Sequence, residues 1–176
     1  MKPAIKRIAL IGPESTGKTT LCRELAVHFH THWVPEFARA YIGSIGRTYN
    51  LQDIEYCARE QLKAEEKETE HAARLLFCDT ELIIARVWCE DVFKKVPAWL
   101  EEKILTHRYD LYLLAYPDLP FVEDPVRENP HRRTFFFDWY KRELEERNFL
   151  YEVIAGEGKQ RFLNALGAIQ KHFPGL

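Results

Sequence analysis

The sequence predicts an α/β domain in which a parallel sheet is covered by helices on both faces. Three observations carry this reading. Short apolar runs alternate along the chain with segments of helical periodicity, the pattern of a parallel sheet buried on both sides. The first of these runs leads directly into Gly12-Pro13-Glu14-Ser15-Thr16-Gly17-Lys18-Thr19, which fits the phosphate-binding loop pattern G-x-x-x-x-G-K-[ST] without a mismatch. After the loop, Leu21, Leu25 and Phe29 recur every fourth position and form a helical stripe. Strand, glycine loop and helix are together the context that such a loop requires.

In chain order, residues 5–11 (IKRIALI) read as the first strand, and the loop and first helix follow. Residues 31–35 are a short strand-like stretch that ends at Pro35, which cannot donate to a ladder. A short helix opens at 36–41 and is expected to break at Gly43 and Gly46. Asn50 or Asp53 caps a long helix over about 52–74. The charge-dense run Lys63 to Glu70 reads there as a solvated face. Residues 75–78 form the next strand and end in Asp79-Thr80. Helical periodicity resumes from Leu82 to Phe93, and Pro97 starts another helix reaching about Leu105. Residues 111–115 form a strand, and a proline-rich polar segment runs from about 117 to 134. A helix over about 134–147, a strand at 151–154 and a final helix bearing Phe162, Leu166 and Ile169 complete the chain.

Composition narrows the function. A length of 176 residues suits one α/β domain over 1–176, and 46% hydrophobic residues can fill a genuine core. The 25 basic and 27 acidic residues nearly cancel, which gives no reason to propose a nucleic-acid-binding body or a membrane surface protein. Phosphate affinity must therefore be local. Four cysteines, Cys22, Cys57, Cys78 and Cys89, form no C-x-x-C pair and read as buried reduced thiols. No apolar run approaches the ~20 residues of a membrane span, and the first strand starts within a few residues of Met1. A cytoplasmic protein without membrane insertion is expected.

The loop carries the first candidate residues. Gly12 and Gly17 permit backbone angles that let the loop wrap an anion. Backbone N–H groups from Glu14, Ser15, Thr16 and Thr20, with the helix N-terminus, form a nest for phosphate oxygens. Lys18 is expected on the β- and γ-phosphates of ATP and the Thr19 hydroxyl on Mg²⁺. In an open sheet, ligands bind beyond the carboxyl ends of the strands. Three such ends carry candidates. Glu36 can orient or deprotonate an acceptor hydroxyl, with Arg39 on the same helix face; a helix-start glutamate paired with that arginine is the bland alternative. Asp79 can hold Mg²⁺ beside Thr19, or it can cap the next helix; Glu81 is a weaker companion that completes the site or only favours the helix start. Arg127, Arg132 and Arg133 fall within seven residues of the proline-rich segment. They suit a lid that closes on a nucleotide and neutralises phosphoryl charge, the alternative being an exposed loop. Trp33, Phe37, Tyr41 and Trp88 can stack on a flat substrate ring, though core packing explains any one of them as well. The seven histidines show no metal-binding spacing.

Taken together, the 12–21 loop, the run VPEFARAY at 34–41, Asp79-Thr80-Glu81, and the segment Asp118-Leu119-Pro120 through Asp124-Pro125-Val126-Arg127 to Arg132-Arg133 resemble the kinase domain of NadR-type proteins. The resemblance covers nearly the whole chain. It implies a P-loop kinase-like α/β/α sandwich with a five-stranded parallel sheet and an arginine-bearing lid. It also implies phosphorylation of ribosylnicotinamide (nicotinamide riboside) by ATP to nicotinamide mononucleotide. It reaches only the kinase part of such proteins, so adenylyl transfer and repression are not implied. Glu81 stands where the family has the last aspartate of Asp-Thr-Asp. The reading is thus a Mg²⁺- and ATP-dependent kinase with Lys18, Glu36, Asp79, Arg127 and Arg132 in catalysis, Arg133 on the nucleotide, and Glu36, Arg39, Tyr41, Asp79 and Trp88 around a nucleoside-like acceptor. A kinase for another nucleoside or a vitamin alcohol, and a nucleotide-dependent regulatory ATPase, remain as alternatives. No N-K-x-D guanine-reading motif is present.

Overall fold

A computed structural model describes residues 4–176. Five parallel strands form one sheet in the order β2-β3-β1-β4-β5: β1 Lys6–Ile11, β2 His32–Val34, β3 Leu75–Asp79, β4 Leu111–Ala115 and β5 Tyr151–Ile154. The helices are α1 Lys18–His28, α2 Phe37–Ser44, α3 Leu51–His71, α4 Leu82–Phe93, α5 Ala98–Thr106, α6 Arg133–Glu146 and α7 Gly158–His172. The expected α/β/α sandwich with its five-stranded parallel sheet is what the chain adopts.

The period-2 alternation of the central strand divides the core. Ile8 and Leu10 pack with Leu21, Cys22, Leu25 and Ile169 of α1 and α7 on one face. Ala9 and Ile11 pack with Ile54, Ile83, Leu100 and Phe137, from α3, α4, α5 and α6, on the other. Each face of β1 is therefore dry, which explains why its run reads as continuously apolar rather than alternating. All four cysteines are free and buried, as composition suggested.

Several boundaries differ from the sequence reading, each for a local reason. Gly43 does not stop α2, which runs on to Ser44; the turn comes at Gly46, whose φ of 64° needs a residue without Cβ strain. Asn50, not Asp53, is the N-cap of α3. Its side chain accepts from the Asp53 N–H while Asp53 accepts from the Asn50 N–H, a reciprocal capping box. The charged run on α3 is only partly solvated. Glu65 within it is fully buried and accepts from His107 Nε2 and Tyr109 Oη, each at 2.8 Å. Asp79 is the last residue of β3 rather than a helix cap, and Glu81 caps α4 instead.

Candidate active site

The carboxyl ends of β1, β2 and β3 meet at one cleft, because β1 lies at the centre of the sheet with β3 beside it and β2 beyond. The Thr80 N–H donates to the Leu10 carbonyl at 3.1 Å and so locks the β3 exit against the start of the loop. The loop itself follows β1. Gly12 has φ 148°, and an added Cβ there would meet the Ala115 carbonyl oxygen of β4 at 2.8 Å, so only glycine fits. Gly17 (φ 73°) turns the chain into α1. Lys18 Nζ donates to the carbonyls of Gly12 and Pro13 at 2.9 and 2.8 Å, which holds it across the mouth of the loop.

The cleft has a volume of about 250 Å³ and is lined by the whole loop from Gly12 to Thr20, by Glu36 and Arg39 of the second strand exit, by Thr80 and Trp88, and by Arg127 and Arg133. A recess of about 30 Å³ shares Glu36, Thr80 and Trp88 with it and continues to Ile54, Cys57, Gln61 and Glu81. The charged groups act on one another. Burial lowers the Lys18 pKa, while Glu36, Asp79 and Glu14 pull it back up. Burial raises the Glu36 carboxyl above its ordinary range, with Lys18 opposing and Asp79 reinforcing the shift. Asp79 is raised in the same way by burial, against Lys18 and a hydrogen bond from Thr19. One lysine and two carboxylates thus share a desolvated site.

Thr19 Oγ1 donates to Asp79 Oδ2 at 2.5 Å. Asp79 Oδ1 is buried and has no hydrogen-bond partner among the described residues. A hydroxyl beside a carboxylate with one orphaned oxygen is a donor set that fits Mg²⁺, which usually takes one or two protein oxygens and completes its shell with phosphate and water. Among the described residues no cluster of three or more His, Cys, Asp or Glu is placed to hold a metal by itself.

The segment over 117–134 lies on the loop. Glu14 accepts from the backbone N–H groups of Glu128 and Asn129, both at 3.1 Å. Ser15 Oγ donates to the Val122 carbonyl at 3.3 Å and accepts from its N–H at 3.1 Å. Arg133 donates to the carbonyls of Ser15 and Leu119. Arg127 donates to the Val122 carbonyl at 2.6 Å and lines the cleft.

Several sequence-selected residues lie outside the cleft lining; Asp79 is one, fully buried and linked to the loop through Thr19. Arg132 is outside the cleft lining. Its guanidinium is bidentate on Asp91 of α4, at 2.7 and 2.8 Å, and lies over the rings of Phe135 and Phe136. The Tyr41 hydroxyl donates to Asp53 at 3.0 Å, and its ring stacks on Phe37, so both aromatics brace α2 against α3. Trp33 packs in the α1/α7 core. Of the aromatics selected, Trp88 is the one that lines the cleft, with Nε1 held by the Tyr49 hydroxyl at 3.2 Å. Arg39 pairs with Asp124 of the lid segment, not with Glu36 as an i,i+3 pair would require. Glu81 does not face the cleft. Both its oxygens accept from the Ile83 N–H at 2.9 Å, and burial pushes its carboxyl up to about 8.

Sequence reasoning passed over Gln61. Its Oε1 accepts from the Phe37 N–H at 3.0 Å and its Nε2 donates to the Asp79 carbonyl at 3.4 Å, tying α2 to the end of β3. It stands on a helix dominated by Glu, Lys and Ala, where nothing marks it out.

An AAA domain family model matches residues 7–161. The chain belongs to the AAA domain family. Within it, this AAA-domain chain is similar to the trifunctional NAD biosynthesis/regulator protein NadR of Escherichia coli (strain K12), 26% identical over 174 residues, covering 95% of the chain and 42% of that protein. NadR of Salmonella typhimurium (strain LT2) is 25% identical over 127 residues, covering 70% and 31%. The chain thus spans less than half the length of these curated relatives. Among solved structures, a NadR protein in complex with NR superposes with a TM-score of 0.85 at 25% identity, covering 96% of this chain and 52% of that one. A NadR protein with NAD and AMP-PNP gives 0.80 at 24% identity, covering 96% and 49%. Thymidylate kinase from Ehrlichia chaffeensis gives 0.64 at 12% identity over 96% and 99%, a likeness of fold alone. The AAA-domain chain is accordingly NadR-like over nearly its whole length and has a P-loop kinase-like fold.

Proposed function

We propose that the chain is an ATP-dependent phosphotransferase that moves the γ-phosphoryl group to the 5′-hydroxyl of a nucleoside-like acceptor, with nicotinamide riboside as the acceptor and nicotinamide mononucleotide as the product. The observation that supports it most is that Lys18 and Glu36 line one cleft with Arg127 and Arg133, while the fully buried Asp79, bonded to Thr19 of the loop, acts on both. The likeness to NadR over nearly the whole chain favours the acceptor.

In this reading the loop amides from Glu14 to Thr20 bind the β- and γ-phosphates, and Lys18 exchanges its two loop carbonyls for phosphate oxygens. Thr19 and Asp79 hold Mg²⁺, which supplies charge neutralisation on the phosphates when bound. Glu36 accepts the proton of the acceptor hydroxyl. The new O–P bond forms at the γ-phosphorus, and the bond to the β–γ bridging oxygen breaks with its electron pair leaving on ADP. Burial raises the Glu36 carboxyl, which makes it a stronger proton acceptor than an exposed glutamate. Arg127 and Arg133 stabilise the phosphoryl oxygens. Arg132 joins them only by leaving Asp91. Trp88 offers a face for the acceptor's flat ring.

The test is ATP consumption by the purified protein across a panel containing nicotinamide riboside, ribo- and deoxynucleosides, and thiamine. Nicotinamide riboside is expected to give the highest kcat/KM, and Lys18→Ala to lose most of it, on the order of 10²-fold or more. ATP turnover that no acceptor stimulates would favour a nucleotide-dependent switch instead. Preference for another hydroxyl would keep the reaction and change the substrate.

A further inference from the structure

Thr80 combines three features that local structure does not explain. It is a β-branched residue in the left-handed region, with φ 75°. Such a residue is a genuine backbone outlier and persists only where its surroundings hold it. The residue is only 8% exposed, yet its buried Oγ1 has no hydrogen-bond partner among the described residues. A buried hydroxyl without a partner is costly. Finally, Thr80 lines both the cleft and its recess, as Glu36 and Trp88 do. Its backbone is fixed by the bond from its N–H to the Leu10 carbonyl at 3.1 Å. The residue is thus pinned in a strained turn, with an unused donor and acceptor, where it lines the recess with Glu36 and Trp88.

We propose that Thr80 is a specificity residue whose hydroxyl hydrogen-bonds a sugar hydroxyl of the acceptor, so that the site selects ribosides over deoxyribosides. This rests on the kinase reading above. The phosphate loop, Lys18 and the lid arginines already gather on the nucleotide side. The groups that share Thr80's end of the cleft, Glu36 and Trp88, are the ones suited to a hydroxyl and a flat ring. A site built to bond a substrate hydroxyl rejects the analogue lacking it, because its own polar group is then left unpaired.

Thr80→Val and Thr80→Ser separate this from a structural role. Valine keeps the branched shape and removes only the hydroxyl, which no protein atom uses. Thr80→Val is therefore expected to melt at the wild-type temperature or above, while its acceptor kcat/KM falls about tenfold or more and the KM for ATP stays within about twofold. Thr80→Ser is expected to retain most of the acceptor kcat/KM. In the deciding arm, the 2′-deoxy and 3′-deoxy forms of the preferred acceptor are compared on wild type and Thr80→Val. For one of them the difference between the two proteins should collapse to about one, since the missing hydroxyl and the missing side-chain hydroxyl remove the same bond. An unchanged acceptor kcat/KM in Thr80→Val, a melting temperature that falls together with activity, or an undiminished difference on both deoxy acceptors overturns the inference. A wild type that turns over no acceptor overturns the kinase reading and this inference with it. A wild type that does, with Thr80→Val unimpaired, overturns this inference alone.

Discussion

The carboxyl of Glu81 is buried at the start of α4, where both its oxygens accept from the Ile83 N–H. That cap makes up part of the desolvation cost and leaves the group titrating at about 8, well above an ordinary carboxylate. The consequence for stability has a definite sign. An unfolded Glu81 releases its proton near pH ~4.3, whereas the folded protein keeps it up to about pH 8. Across that window the unfolded chain binds fewer protons, so raising the pH favours unfolding. Thermal melts between pH 5 and pH 8.5 are expected to show a falling melting temperature in the wild type. The fall should be shallower in Glu81→Gln, which keeps an oxygen for Ile83 but cannot ionise. Equal slopes would mean that Glu81 does not titrate in this window. The same residue marks a limit of sequence reading. Its position after Asp79-Thr80 left two readings open, a companion in the site or a helix start, and the structure takes the second, with Glu81 as the α4 cap after the turn at Thr80.

Elements differ in how far their role could be read from the chain. The glycine loop was legible because each requirement is local: two glycines, a lysine and a hydroxyl at fixed spacing on a strand–helix junction. The 117–134 segment was legible as an arginine-rich stretch between β4 and α6, but its attachments were not. Arg132 meets Asp91 across 41 positions, and Glu14 meets Glu128 and Asn129 across 114 and 115, pairings that only the fold creates. Those attachments make a prediction about the lid as an element. Its backbone is held to the loop chiefly through Glu14, Ser15 and Arg133, with no regular secondary structure between β4 and α6. Removing the Glu14 carboxylate leaves two lid N–H groups to water and frees the turn around 127–129. Limited trypsin digestion of Glu14→Ala is therefore expected to cut after Arg127 several-fold faster than in wild type, with cuts elsewhere unchanged. If both proteins are cut there at the same rate, Glu14 does not fasten the lid.

At the scale of the whole molecule, the strand order is what makes a site out of distant residues. Placing β1 between β3 and β4 brings Lys18, Asp79 and Glu36 to one edge, though they lie up to 61 positions apart, and sets the lid that follows β4 opposite them. Both faces of the sheet are packed, so the layers hold the carboxylates, while the 117–134 segment is attached to the loop by hydrogen bonds and belongs to neither core cluster. Binding at that edge should therefore report on the entire fold. A nucleotide that binds the folded chain at a hundred times its dissociation constant stabilises it by about 2.7 kcal/mol, read as a rise in melting temperature. ATP with Mg²⁺ is expected to raise the melting temperature more than ATP with a chelator, because Asp79 loses its burial penalty only when a cation meets its orphaned oxygen. Asp79→Asn should keep the shift seen with ATP alone and lose the extra increment from Mg²⁺. A Mg²⁺ increment of full size in Asp79→Asn would place the cation elsewhere, and the pairing of Thr19 with Asp79 would then be a structural hydrogen bond that happens to lie beside the loop.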